Sequence, residues 1–162
     1  TRKGEIMKAS EVMDPNPTTL KPTDSIECAA KYIMERRYRS LPVVDDNFCY
    51  LGMFGVNCLL KQVIPKAVFM DKGLKNVSFI HESLEDLYQR FSDVKDQPIS
   101  VCMTTEINSI SPDTALTDTL LQLYETRASI PVVEPGTCKL LGMISYWDIG
   151  DKIMQTGVAE NA

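Results

Sequence analysis

Ser145 and Asp148 are the residues of this chain whose types and spacing most readily suggest chemistry. Ser145-Tyr-Trp-Asp148 sets a hydroxyl three positions ahead of a carboxylate. That is the spacing of a capping box, with Ser as N-cap and the acid at the third helical position, and such a cap needs no ligand. As a nucleophile Ser145 lacks a base, because the single histidine, His81, lies in a different part of the chain beside Glu82. Neither a Gly-x-Ser-x-Gly elbow, nor a Gly-x-Gly-x-x-Gly turn, nor a Walker loop is present. No catalytic residue is assigned, and enzymatic activity is not expected. A metal site is not expected either: Cys28, Cys49, Cys58, Cys102 and Cys138 form no Cys-x-x-Cys, and none lies near His81. Free cysteines in apolar surroundings behave as small hydrophobes, so the expectation is reduced thiols in a cytoplasmic protein. Trp147 is expected to pack rather than to stack on a base, since nothing basic surrounds it.

The elements that must position these residues come from the rest of the chain. Its 162 residues are 44% hydrophobic and 24% charged, enough for a core without disulfide or metal. Seventeen Lys+Arg against 22 Asp+Glu give a net charge of −5, which argues against a nucleic-acid-binding face or an anionic lipid surface. No apolar run is long enough to span a bilayer, and the first residues lack the apolar stretch of a signal peptide.

An internal repeat organises the chain. Met13 recurs as Met103 and Pro22 as Pro112, each 90 positions on; Ser40-Leu-Pro-Val-Val44 recurs as Ser129-Ile-Pro-Val-Val133, 89 on; Leu51-Gly-Met53 recurs as Leu141-Gly-Met143. Each half reads as β-α-β-β-α. An extended piece (Thr18–Leu20; Asn108–Ile110) is followed by an amphipathic helix with Ile26, Ala29, Ala30, Ile33 and Met34, or Leu116, Thr119, Leu120, Leu123 and Tyr124, at helical spacing. Thr-Asp-Ser and Asp-Thr-Ala precede these helices and are expected to supply N-cap oxygens. Strands are predicted at Leu41–Val44 and Ile130–Val133, then at Tyr50–Phe54 and Leu140–Ile144, and closing helices from near Val56 and near Tyr146. The fold class is therefore α/β (α+β): residues 1–60 form the first repeat with its N-terminal segment, 61–98 a partly helical connector, 99–155 the second repeat and 156–162 a tail. In the connector Ile80, Leu84, Leu87, Tyr88 and Phe91 share a helical face, expected to lie over the core or, alternatively, to contact a second chain.

These residues resemble a tandem pair of CBS domains, also called a Bateman module. The resemblance runs from Val12 to about Ile153 and rests on the paired Pro-Val-Val and Leu-Gly-Met strands, Met103-Thr-Thr105 and Gly142-Met-Ile-Ser-Tyr-Trp-Asp148. It implies two repeats packed about a pseudo-two-fold axis, association into homodimers, and regulation of a partner protein through an adenosine-type ligand (AMP, ADP, ATP or S-adenosylmethionine) held between the repeats. No cofactor is otherwise required. The resemblance assigns Asp148 to the ribose hydroxyls, since a carboxylate accepts from two at once, and Ser145 with the helix start to the phosphate. Thr105, Ile107 and Ser109 would flank the adenine, with Pro131 and Val133 as apolar wall, although Ile107 also reads as core. Arg39 would reach the phosphate; with Arg36 and Arg37 it equally reads as a solvated helix end. The first repeat has Gly55 and Cys58 where the second has Ser145 and Asp148, so one competent site is expected. The alternative is a ligand-free dimerisation or protein-interaction module.

Overall fold

The computed structural model describes residues 6–70, 81–105 and 108–161. Its elements are α1 (Ile26–Arg36), β1 (Ser40–Val44), β2 (Tyr50–Gly55), α2 (Val56–Val63), α3 (Lys66–Met70), α4 (Leu84–Val94), α5 (Leu116–Thr126), β3 (Ile130–Val133), β4 (Leu140–Ile144) and α6 (Tyr146–Asn161). Two two-stranded sheets form, β1 with β2 and β3 with β4. The mixture is α+β, as the repeat implies.

Local chemistry accounts for most boundaries. Ser25 caps α1, accepting from the Cys28 amide at 3.1 Å. Ile26, Ala29, Ala30 and Ile33 then form its buried face, while Met34, expected on that face, is exposed; on α5 Thr119 and Leu123 are buried but Leu120 and Tyr124 are exposed. Both α1 and α5 end on an arginine in the left-handed region, Arg37 (φ 58°) and Arg127 (φ 55°), 90 positions apart like the repeat itself. Further local details depart from expectation. The extended pieces are not strands: Leu20 and Ile110 each make one isolated bridge, Ile110 pairing in parallel with Val132. The Asp-Thr-Ala segment supplies no cap oxygen, because the N-cap of α5 falls on Ala115, whose side chain has none; the first amide, of Leu116, bonds the Met7 carbonyl instead. On the connector helix α4, Leu87 and Phe91 are half-buried, whereas Leu84 and Tyr88 are exposed. That helix packs along α2 and is tied by the Arg90 guanidinium to the Val63 carbonyl (2.7 Å) and to Glu82 (2.6 Å). Ile80 lies outside the described residues.

By packing, the chain divides into two compact units that cut across the order of the sequence. One comprises Thr1–Thr19, Pro42–Gly52 and Thr105–Ala162, the other Leu20–Leu41 and Met53–Thr104. In the first, β3 and β4 pair antiparallel, Ile130 opposite Ile144 and Val132 opposite Gly142. The core of this unit is Ile110, Leu123, Ile130, Val132 and Ile144 with Ala9 and Val12 from the chain's beginning. That leading segment docks by backbone bonds, Ala9 N–H to Thr114 O (2.8 Å), Ser10 N–H to Pro112 O (3.1 Å), and a reciprocal pair between Asp14 and Met143 (2.8 and 3.0 Å). A Cβ on Gly142 would stand 2.6 Å from the Asp14 carbonyl oxygen, so glycine is what lets the segment approach.

The second unit repeats the plan with the partners exchanged. Ile99 N–H bonds Asp24 O (2.8 Å), Ser100 N–H bonds Pro22 O (3.2 Å), and Met53 and Thr104 bond reciprocally at 2.8 Å. Each repeat therefore lends its leading segment to the other repeat's helix and hairpin.

The cysteine expectation fails for one pair. Cys49 and Cys138, 89 positions apart, are joined as a disulfide with Cα atoms 4.8 Å apart; Cys28, Cys58 and Cys102 are free thiols. Spacing rules find cysteines close in sequence, and this pair meets because the two hairpin turns lie side by side.

Candidate functional site

The end of β4 and the start of α6 bring Ser145 and Asp148 together. The Ser145 amide donates to Asp148 Oδ2 (2.7 Å), the Ser145 hydroxyl donates to the same oxygen (2.8 Å), and the Asp148 amide donates back to Ser145 Oγ (3.3 Å). The capping reading is thus realised in full. Asp148 Oδ1 takes no hydrogen bond among the described residues and the carboxylate is half-buried, which leaves lone pairs for a further donor. Tyr146 pins the same helix start, its hydroxyl donating to the Leu123 carbonyl at 2.6 Å. Sequence reasoning did not single out Tyr146; a contact across 23 positions leaves no local pattern to find.

A second Ser-x-x-Asp provides an internal comparison. At the start of α4, Ser83 and Asp86 make the same three bonds at 3.0, 3.0 and 3.2 Å. The bonds from Ser83 hold the Asp86 carboxyl below its usual range. The box by itself is therefore a helix-starting device. What differs at Ser145 is its place at the end of a buried hairpin strand whose neighbour, β3, carries Pro131 and Val133.

The other expected residues divide as follows. Thr105 and Ser109 are exposed and share the unit of Ser145; Ile107 lies outside the described residues. Pro131 is fully buried, its carbonyl accepting from the Ile110 amide (3.0 Å), so it belongs to the core and only the half-buried Val133 offers apolar surface. Arg39 belongs to the other unit, where its carbonyl accepts from the Val56 amide at 3.0 Å. Arg36 lies over the Tyr32 ring, 4.8 Å from its centroid, and with Arg37 forms an exposed helix end.

The first repeat's equivalent junction is different in kind. Gly55 is the N-cap of α2 and provides no side-chain bond. A Cβ there would meet the Arg39 carbonyl oxygen at 2.5 Å and Ser40 Cβ at 2.7 Å, so the backbone approach excludes a serine. Cys58 is buried with its Sγ 3.7 Å from Thr104 Oγ1. Burial, with the neighbouring Cys58 thiol, pushes the Cys102 thiol up to about 11, which keeps it protonated at neutral pH. Position 58, where the second repeat has Asp148, thus carries no carboxylate.

The profile of the CBS domain family matches residues 9–64 and 92–154. The chain belongs to the CBS-domain family. Among solved structures it is similar to the CBS-pair protein CBSX2 of Arabidopsis thaliana, with 22% identity, 98% of this chain and 100% of that one covered, and a TM-score of 0.72. A complex of CBSX2 with AMP matches at 22% identity over 93% of this chain and 98% of that one (TM-score 0.66). The CBS domain pair of protein MJ0100, in complex with 5′-methylthioadenosine and S-adenosyl-L-methionine, matches at 16% identity over 94% and 99% (TM-score 0.61). These likenesses establish the fold as a CBS pair. A search among curated protein sequences found no match.

Proposed function

We propose that this CBS pair is a regulatory module that binds an adenosine-type ligand (AMP, ADP, ATP or S-adenosylmethionine) at the β4–α6 junction, the ribose on Asp148 and the phosphate or its equivalent at Ser145 and the helix start. The observation that carries the reading is the half-buried Asp148 carboxylate, with Oδ2 committed to the cap and Oδ1 open to a hydroxyl. Thr105, Ser109 and Val133 would line the adenine side. The AMP, 5′-methylthioadenosine and S-adenosylmethionine complexes of the two fold relatives support the ligand class. The first repeat, with Gly55 and Cys58, would hold no ribose. Regulation requires different ligand affinity for two states of the module or of a partner protein. The reading includes a cytoplasmic location and a homodimer, for which Trp147, 82% exposed where packing within the chain was expected, and Tyr124 (78%) on α6 and α5 are the apolar surface to be covered. Among the described residues no helix is long and apolar enough to cross a membrane.

Thermal unfolding with each of the four ligands tests this. A ligand at about 100 times its Kd stabilises by about 2.7 kcal/mol, a shift of about 5–10 °C for a chain of this size. The shift is expected to vanish in Asp148→Ala and to survive in Asp86→Ala, which loses the same kind of cap elsewhere. No shift with any ligand in the wild-type chain overturns the proposal in favour of a ligand-free dimerisation module.

A further inference from the structure

The Cys49–Cys138 bond joins equivalent places in the two repeats. Cys49 immediately precedes β2, and Cys138 stands two positions before β4. Around the bond the two turns already hold one another by backbone: Tyr50 N–H donates to Cys138 O (2.7 Å), Leu140 N–H donates to Phe48 O (3.0 Å), and Cys49 bridges Lys139. Neither sulfur belongs to the buried core of the unit, which is built from Ala9, Val12, Ile110, Leu123, Ile130, Val132 and Ile144. The fold does not hang on the bond. Cys138 is also exposed, and Cys49 half-exposed, so a thiolate can approach the Cys138 sulfur without the unit opening. Exposed disulfides are the ones that exchange; inaccessible ones stay structural.

We propose that Cys49–Cys138 is a thiol–disulfide exchange site, a staple between the two hairpin turns that a dithiol able to close into an unstrained ring opens and the corresponding cyclic disulfide closes while the unit stays folded. In the opening step one thiolate of the dithiol attacks Cys138 Sγ; the Cys49–Cys138 bond breaks and Cys49 leaves as thiolate, taking a proton. The second thiolate of the dithiol then attacks the mixed disulfide, releasing Cys138 as a thiol and the reagent as its cyclic disulfide. Two electrons pass to the protein, and closure is the reverse. The staple closes a loop of roughly 90 residues, so opening it lowers stability through the denatured chain.

Dithiothreitol, iodoacetamide labelling of the native full-length chain and peptide mass mapping test this. Before reduction, labelling is expected at exposed Cys28, with buried Cys58 and the half-buried, raised-pKa Cys102 slow. After dithiothreitol, Cys49 and Cys138 gain label while the far-UV circular dichroism is unchanged and the melting temperature falls by about 5–15 °C. Removing dithiothreitol and adding its oxidised cyclic form restores both. Cys138→Ser is expected to melt at the temperature of the reduced wild type and to ignore dithiothreitol. Cys49 and Cys138 labelling only after denaturation, loss of the dichroism on reduction, or a dithiothreitol response persisting in Cys138→Ser would each overturn the proposal. No nucleotide enters the experiment, so its outcome is independent of the ligand reading.

Discussion

Tyr50 sits beside Cys49 with its hydroxyl buried and without a hydrogen-bond partner among the described residues. An unpaired buried hydroxyl costs about 1–3 kcal/mol, so Tyr50→Phe is expected to be neutral or to stabilise by about 1 kcal/mol in chemical denaturation. Burial also raises the phenol well above its ordinary value. A raised acid stays protonated in the folded chain while the unfolded chain ionises. Stability is therefore complete below about pH 10 and falls as pH rises beyond it. In Tyr50→Phe that alkaline loss should shrink, and an unchanged alkaline limb would show that other groups carry it. Asp148 makes the complementary case. Its type and spacing were legible in sequence, and so was the cap it forms; its open Oδ1 was not, because that depends on what surrounds the strand end.

The strand-to-helix junctions differ at the two positions of the Ser-x-x-Asp box, Gly55 against Ser145 and Cys58 against Asp148, and the first difference is enforced at the level of elements. At β2–α2 the Arg39–Ser40 backbone lies against Gly55, and the Val56 amide bonds the Arg39 carbonyl at 3.0 Å. A side chain there must displace backbone, so Gly55→Ser is expected to cost more than about 2 kcal/mol and to restore no cap. At β4–α6, Ser145→Ala should cost about 1 kcal/mol through the lost cap. Urea titration of the two variants checks the contrast, and a Gly55→Ser loss as small as that of Ser145→Ala would mean that the junction can open. Helices and strands were largely legible beforehand: the predicted Ile130–Val133 and Leu140–Ile144 match β3 and β4. The extended pieces read as strands in sequence but make one bridge each, because an apolar residue shortly before a proline looks the same whether it makes one bridge or many.

At the scale of the whole molecule the exchanged leading segments set what each repeat's stability depends on. Val12 is 3% exposed and Ile99 fully buried, each completing the unit built on the other repeat. Val12→Ala should cost about 2 kcal/mol and Ile99→Ala about 3 kcal/mol. Hydrogen exchange locates the effect: Val12→Ala is expected to speed exchange in β3 and β4, at the far end of the sequence, and Ile99→Ala in α1. Local opening confined instead to each substitution's own repeat would refute the exchange.

What the sequence by itself determined is what repeats locally: the period of the helices, the β-branched strands, the Ser-x-x-Asp cap and the recurrence of one plan at 90 positions, from which the CBS pair followed. These are properties of neighbours along the chain, and a few residues suffice to express them. Only the tertiary structure decided that Ala9 packs with Ile144, that Cys49 meets Cys138, that Gly55 must be glycine and that the Tyr50 hydroxyl is buried without a partner among the described residues. Each depends on segments far apart in sequence being brought together, and that choice is made by which closure buries the most apolar surface while satisfying the backbone.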